Sequence, residues 1–485
     1  MLLKRFYDDK LAQASYLVGC AATGEALVID AHRDVAQYLR AAEQEGLRIT
    51  HVTETHNHAD FVSGSRELAE GAGAKLFLSD EGDALWKYAF AADAGAVLLK
   101  DGASFMVGNI KVQALHTPGH TPEHLSFMIT DTAATDRPMG VFTGDFIFAG
   151  DVGRPDLLEK AAKMAGTMEA GARTLYRSIQ DFKSLPDYLQ LWPGHGAGSA
   201  CGKALGAIPS TTLGYERIAN WGLADITETE FVGQVLDGQP EPPKYFAEMK
   251  RINKEGPRVL HGFLTPERLP ETRIAALLQG GSPVVDTRPW SEFAVGFIPG
   301  TINIPLNKSF TTWAGWLVPY DRPFYLIVDD ASTRNIEEAV RDLAMIGLDQ
   351  IAGFFGAAVI DGWTLEGRKL DTVPQMTSQE LSKALVGDSV SVVDVRGAAE
   401  WSIGHLPGVL NIPLGYLSER IDALPTGRPL VVQCQGGARS AIGASVLRAS
   451  GVTNVVNLIG GFNDWEAAGN PVERGSAAAT AGRTA

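Results

Sequence analysis

Cysteine is scarce: Cys20, Cys201 and Cys434 are the only three in a chain of 485 residues. So few thiols, so far apart, make no disulfide framework. Long apolar runs are missing as well, and none reaches the ~18 to 20 residues that a bilayer span requires. The opening Met1-Leu2-Leu3-Lys4-Arg5-Phe6-Tyr7-Asp8-Asp9 turns acidic at once and lacks the apolar stretch of a signal peptide. Positive charge is in deficit, with 42 Lys and Arg against 57 Asp and Glu and a net charge of −15. That balance argues against an electrostatic grip on nucleic acid or an anionic membrane. What is present is ordinary for a globular chain, at 45% hydrophobic and 20% charged residues. A cytoplasmic protein without nucleic-acid or membrane partners is expected, and about 150 residues per domain suggests roughly three domains.

The chain repeats itself. Val284-Val285-Asp286-Thr287-Arg288 leads to Ile298-Pro299-Gly300-Thr301-Ile302-Asn303-Ile304-Pro305. Val392-Val393-Asp394-Val395-Arg396 leads in the same way to Leu406-Pro407-Gly408-Val409-Leu410-Asn411-Ile412-Pro413, 108 residues on (394 minus 286). Each copy reads as alternating strand and helix, which implies a parallel α/β sheet. The region before about residue 255 holds all but two of the ten histidines and reads as many short strands. The expected division is a first domain at 1–240, a linker at 241–259 with a short helix near Tyr245–Lys254, α/β domains at 260–370 and 372–475, and a flexible tail at 476–485.

In the first region, Thr55-His56-Asn57-His58-Ala59-Asp60-Phe61 follows an apolar strand, so a strand-to-helix loop aims two imidazoles and a carboxylate at one place. That donor set suits zinc, iron or manganese. Three more motifs follow strands in the same manner: His116-Thr117-Pro118-Gly119-His120-Thr121, Thr143-Gly144-Asp145, and Trp192-Pro193-Gly194-His195-Gly196. Four such loops describe the rim of a layered sheet. In this order they resemble the metallo-β-lactamase fold, an αββα sandwich with metal at the sheet edge.

The resemblance has one departure. The family motif continues with a histidine where this chain has Phe61, and a phenyl ring cannot ligate, so the second metal site lacks a donor. The pattern is similar to the persulfide dioxygenase branch, which implies one Fe(II) per chain on His56, His120 and Asp145. His58, Asp60 and His195 are then expected to orient ligands through hydrogen bonds. Arg154 either holds a substrate carboxylate or braces its loop with Asp156, and Tyr176 stands as a candidate for the substrate entrance. His116 is expected to pack near its turn, and His124 either touches substrate or is core. Cys201, six residues past His195, is open to a part in sulfur relay, its plainer reading being a quiet buried thiol; Cys20 is expected in the core.

The last domain carries Val431-Val432-Gln433-Cys434-Gln435-Gly436-Gly437-Ala438-Arg439-Ser440, then an apolar helix. A cysteine in a short loop between strand and helix faces backbone N–H groups, and these together with Arg439 favour the thiolate. With Asp394-Val395-Arg396 and Gly404-His405-Leu406-Pro407-Gly408 upstream, the domain resembles a rhodanese. The resemblance implies that Cys434 is the nucleophile that carries sulfane sulfur and that Arg439 binds anions at the loop. Asp394, Arg396 and His405 are expected to brace the fold. In the middle copy, aligning Arg334 with Arg439 puts Asp329 at the cysteine position, and the glycines are gone. That copy is expected to be a degenerate rhodanese, a spacer or docking module.

The expected fold is therefore multidomain α/β, an αββα sandwich followed by two parallel-sheet domains. The expected activity is oxidation of a low-molecular-weight persulfide (glutathione or another thiol) by O2 to sulfite. Sulfur transfer to sulfite then gives thiosulfate, in sulfide detoxification by a homo-oligomer. Two alternatives stay open: a glyoxalase II-like thioesterase joined to a sulfurtransferase, and a noncatalytic scaffold that only stores sulfur on Cys434.

Overall fold

The structure is a computed structural model, and it describes residues 1–160, 166–239 and 241–475. The expected tail at 476–485 lies outside the described residues, as does Pro240 within the proline-rich stretch. The chain forms two compact units, Met1–Phe263 with Arg341–Gly347, and the remainder from Leu264. No described helix is long and apolar enough to cross a membrane.

Twelve strands of the first unit form two sheets. One contains β1 (Leu2–Asp8), β2 (Gln13–Cys20), β3 (Glu25–Ile29), β4 (Arg48–Thr53), β5 (Lys75–Ser79) and β6 (Val97–Leu99), in that order. The other contains β7 (Ser104–Val107), β8 (Ile110–His116), β9 (Leu125–Asp131), β10 (Gly140–Gly144), β11 (Gln190–Pro193) and β12 (Thr211–Thr212), again in chain order. Strand period two sorts the side chains. On β2, Ala14, Tyr16, Val18 and Cys20 point between the sheets to meet Val112, Phe127, Phe142 and Trp192. Leu17 points the other way, with Ala26 and Val28 of β3, onto Tyr38, Ala42 and Leu68 of the flanking helices. Across the second sheet, Val141 and Leu191 meet Leu175, Ile179 and Phe182 of the helix Thr167–Phe182. Helices thus cover the outer faces of two sheets packed face to face, an αββα sandwich.

The helix Tyr245–Glu255 belongs to this unit. Tyr245, Phe246 and Met249 are buried, and Asn253 extends the same buried stripe. The unit therefore runs past residue 240, through the stretch read from sequence as a linker, because this helix has an apolar face to bury.

The second unit contains both copies of the repeat. Its first sheet has the order β14-β13-β15-β16, all parallel, from β13 (Val284–Asp286), β14 (Ile302–Asn303), β15 (Phe324–Val328) and β16 (Ile351–Gly356). Its second has the order β17-β21-β20-β18-β19, from β17 (Gln375–Met376), β18 (Ser391–Asp394), β19 (Leu410–Asn411), β20 (Leu430–Gln433) and β21 (Val455–Leu458). The copies match bond for bond. Arg288 pairs with Asp286 at 2.6 Å and Arg396 with Asp394 at 2.7 Å. Each arginine also donates to a carbonyl eight residues on, Gly296 O and Gly404 O. Asn303 and Asn411 each donate to the two carbonyls of their own Asp–Arg pair. The copies also share a core in which Phe293 and Phe297 pack with Val393, Ile412 and Ile442.

Candidate metal centre and sulfur-transfer loop

The four histidine and aspartate motifs all lie just beyond strand ends: His56 after β4, His120 after β8, Asp145 after β10 and His195 after β11. Two glycines make the close approach of these loops possible. Gly144 has φ +49, and a Cβ there would stand 2.5 Å from Thr55 Oγ1 and 2.8 Å from His124 Nε2. Gly119 has φ +145, and its Cβ would stand 2.4 Å from Leu175 Cβ.

His56, His120 and Asp145 are buried, and each offers one ligand atom, all within 4.8 Å of one another. Asp145 Oδ2 lies 4.0 Å from His56 Nε2 and 3.5 Å from His120 Nε2. His120 Nδ1 donates to Arg154 O at 3.0 Å, which leaves Nε2 with its lone pair towards the cluster. Burial pushes the pKa of His120 down to about 4 and that of His56 well below the ordinary value, so both rings are neutral at pH 7. Burial alone would raise Asp145, but His195 and His120 hold it well below the usual carboxylate range. Both carboxylate oxygens of Asp145 are buried without a hydrogen-bond partner, as are Asp60 Oδ2 and His195 Nε2. Such unsatisfied atoms converging on one place are costly unless a cation receives them. Two neutral imidazoles and a carboxylate fit a divalent transition metal.

The other candidates divide. His195 lies 3.4 Å from Asp145 Oδ2 and 3.3 Å from Asp60 Oδ2, with Nδ1 donating to Ala12 O at 2.9 Å. Asp60, His195 and Cys201 form a second group whose potential ligand atoms lie within 4.8 Å of one another. Burial pushes the Cys201 thiol up to about 12, so without a cation it stays protonated. His58 turns away, its Nε2 3.0 Å from Asp30 Oδ1. Burial opposes its charge, but Asp30 and Asp60 outweigh that and raise its pKa to about 9. Phe61 is fully buried, its ring centroid 4.5 Å from that of His58.

Arg154 and Tyr176 are not brought to the cluster as substrate contacts. Arg154 is fully buried, doubly bonded to Asp156 and donating to Ala200 O at 2.8 Å. That geometry is the loop brace, the other reading of Arg154. The Tyr176 hydroxyl donates to Ile226 O at 3.0 Å, and its ring packs on Phe231 in the helix layer. His116 bonds Pro122 O at its turn. His124 is fully buried and accepts the backbone N–H of Asp145 at 3.2 Å, so it sets the height of that carboxylate.

Three residues escaped sequence reasoning. Asp30 holds His58, as above. Glu123 accepts the Asn57 N–H between the two histidines, at 3.0 Å. Asn253 donates to His58 O and Phe61 O at 2.9 and 2.7 Å and accepts Ser63 N–H at 2.9 Å. A single amide on the buried stripe of the helix Tyr245–Glu255 was the available signal for Asn253.

In the second unit, Cys434 directly follows β20 and Asp329 directly follows β15, so the two loops are equivalent in place. Cys434 Sγ is buried, accepts the Gly437 N–H at 3.1 Å and lies 3.5 Å from Ser440 Oγ. Gly437 has φ +95, which turns its N–H inward. Asp329 instead accepts Ala331 N–H at 3.0 Å. Both terminal nitrogens of Arg439 bond Glu400 at 2.6 Å. Arg396 is held by Asp394, and His405 stacks on Trp401 with Nδ1 on Trp401 O, so both brace the fold.

Residues 8–195 match the family model described as metallo-beta-lactamase superfamily, and residues 377–468 match that of the rhodanese-like domain. A crystal structure titled metallo-beta-lactamase from Staphylococcus aureus is 43% identical, covers 73% of this chain and 98% of its own, and has a TM-score of 0.65. A beta-lactamase hydrolase-like protein of Xylella fastidiosa is 29% identical over 52% of this chain, which spans 60% of that relative's length. The mitochondrial persulfide dioxygenase of Bos taurus is 27% identical over 40% of this chain and 68% of its own. A hydroxyacylglutathione hydrolase of Rhodopseudomonas palustris is 31% identical over 37% of this chain and 61% of its own.

Proposed function

The chain belongs to the metallo-beta-lactamase superfamily and continues into a rhodanese-like domain, and from this premise we propose that it oxidises a low-molecular-weight persulfide and transfers sulfur to the product. One persulfide, one dioxygen and one water give one thiol, one bisulfite and one proton. A second persulfide then yields its outer sulfur to sulfite, giving thiol and thiosulfate. The observation that carries the reading is the meeting of His56, His120 and Asp145; Phe61, packed on His58, contributes no ligand at the position where the family motif has a further imidazole. Those three residues would hold one Fe(II), which would supply the redox chemistry that couples a persulfide to dioxygen. His124 and the Arg154 carbonyl hold Asp145 and His120 in place, and the depth of the cluster excludes bulk water.

Transfer belongs to Cys434. Its thiolate attacks the outer sulfur of a persulfide, the electron pair leaves on the thiol sulfur, and sulfite then removes the sulfane sulfur from the enzyme. The Gly437 N–H stabilises charge on Sγ at both steps. On this reading residues 1–240 perform the oxidation with the helix Tyr245–Glu255 bracing them, 260–370 is an inactive copy, and 372–475 performs the transfer. Fusion keeps sulfite near its acceptor, at an effective concentration on the order of millimolar.

A second reading has its own observation. The group Asp60, His195 and Cys201 offers a further cation position, and the hydroxyacylglutathione hydrolase relative acts on a thioester by its name. Metal analysis with an oxygen electrode separates the two. One iron per chain and one O2 per glutathione persulfide support the first; two zinc ions, turnover of a glutathione thioester and no O2 uptake replace it with the second.

A further inference from the structure

The loop around Cys434 is lined by guanidinium groups already engaged. Arg396 spends its nitrogens on Asp394, Gly404 O and Gln435 Oε1, the last at 3.0 Å. Arg439 is gripped end-on by Glu400, with both N–O distances at 2.6 Å. The pair is partly sheltered, the Arg439 side chain 24% exposed and that of Glu400 40%. Bidentate contacts of this kind are the strong form of the ion pair. Burial works against charge on Glu400, yet Arg439 holds its carboxyl below the usual range, so the clamp persists at neutral pH. The guanidinium is close enough for the charge of Cys434 to act on it. An unclamped Arg439, five residues after Cys434 in the first turn of the helix Ala438–Ala449, would attract an anion bound at the sulfur.

We propose that Glu400 is a specificity-determining residue of the sulfur-transfer pocket: by pairing both terminal nitrogens of Arg439 it weakens the hold of that guanidinium on thiosulfate, so the dianion binds weakly and departs. The inference rests on the sulfur-transfer reading above. In the step concerned, sulfite sulfur attacks the outer sulfur of the Cys434 persulfide. The S–S bond to Sγ breaks, its electron pair returns to Sγ as thiolate, and the new S–S bond is that of thiosulfate. Charge is conserved at three negative units on each side. A free guanidinium would bind product and sulfite alike, slow release, and make thiosulfate an efficient donor in the reverse direction. With the clamp in place, the pocket takes sulfur from persulfides and gives it up as thiosulfate.

The test uses the full chain with thiosulfate as donor and cyanide as acceptor. Glu400→Gln and Glu400→Ala are expected to lower KM for thiosulfate at least fivefold, with the gain shrinking at high ionic strength. An unchanged or higher KM in both variants overturns the proposal. A second measurement does not need turnover: calorimetric titration of thiosulfate into Cys434→Ser and into Cys434→Ser with Glu400→Gln. Binding at least fivefold tighter in the double variant supports the proposal, and equal or unmeasurable binding overturns it. Failure of the intact chain to transfer sulfur from any donor would sink the transfer reading, and the calorimetric comparison would still decide the role of Glu400.

Discussion

Asp156 meets Arg154 through two contacts of 2.7 Å, at a depth where neither side chain reaches solvent. A buried guanidinium with its carboxylate removed is an uncompensated charge. Asp156→Ala is expected to cost about 3–5 kcal/mol of stability, read as a lowered denaturant midpoint. Because the Arg154 carbonyl receives His120 Nδ1, metal content falls with it. A raised KM for substrate at unchanged stability and metal content would return Arg154 to the role of substrate contact.

Asn253 makes three hydrogen bonds to the loop that carries His56 and His58. Asn253→Ala strands buried backbone groups at about 1–3 kcal/mol each. It should weaken metal affinity about 10- to 100-fold, as loss of a ligand-orienting partner does. Competition with a chelator measures it. Intact affinity would reduce the helix Tyr245–Glu255 to packing.

His58 gives the metal-free protein a pH signature. Its pKa is raised to about 9 by Asp30 and Asp60 against the pull of burial, above about 6.5 when unfolded. A raised folded pKa means that the stabilisation is complete below the unfolded value and is lost as pH climbs through the folded one. Between pH 6.5 and 9 the wild-type protein should lose about 3 kcal/mol relative to His58→Gln, measured by urea unfolding. A constant difference across that window would show that His58 is neutral.

On the proposed function, Cys434→Ser leaves O2 uptake unchanged and shifts the product from thiosulfate to sulfite, quantified by ion chromatography. Undiminished thiosulfate would place sulfur transfer somewhere other than the loop after β20.

Much of the frame was legible because strand ends and glycines announce themselves locally. Thr143-Gly144-Asp145 and Pro118-Gly119-His120 turn where only glycine tolerates the backbone, and the repeated Asp–Arg and Pro-Gly segments marked both parallel sheets. What stayed hidden depends on partners far along the chain. Asp30 meets His58 from 28 residues away, Asn253 meets the same loop from 195, and no local period distinguishes either from a solvated polar residue. The setting of Arg439 stayed hidden for a related reason: its motif shows a cation beside a thiol, but not the acid 39 residues upstream that engages it.

The Asp–Arg–Asn brackets that knit each parallel sheet are present in both copies, although only the loop after β20 carries a thiol. Architecture and reactivity are therefore separately inherited in this repeat. One duplicate can therefore lack the thiol while its scaffold stands intact.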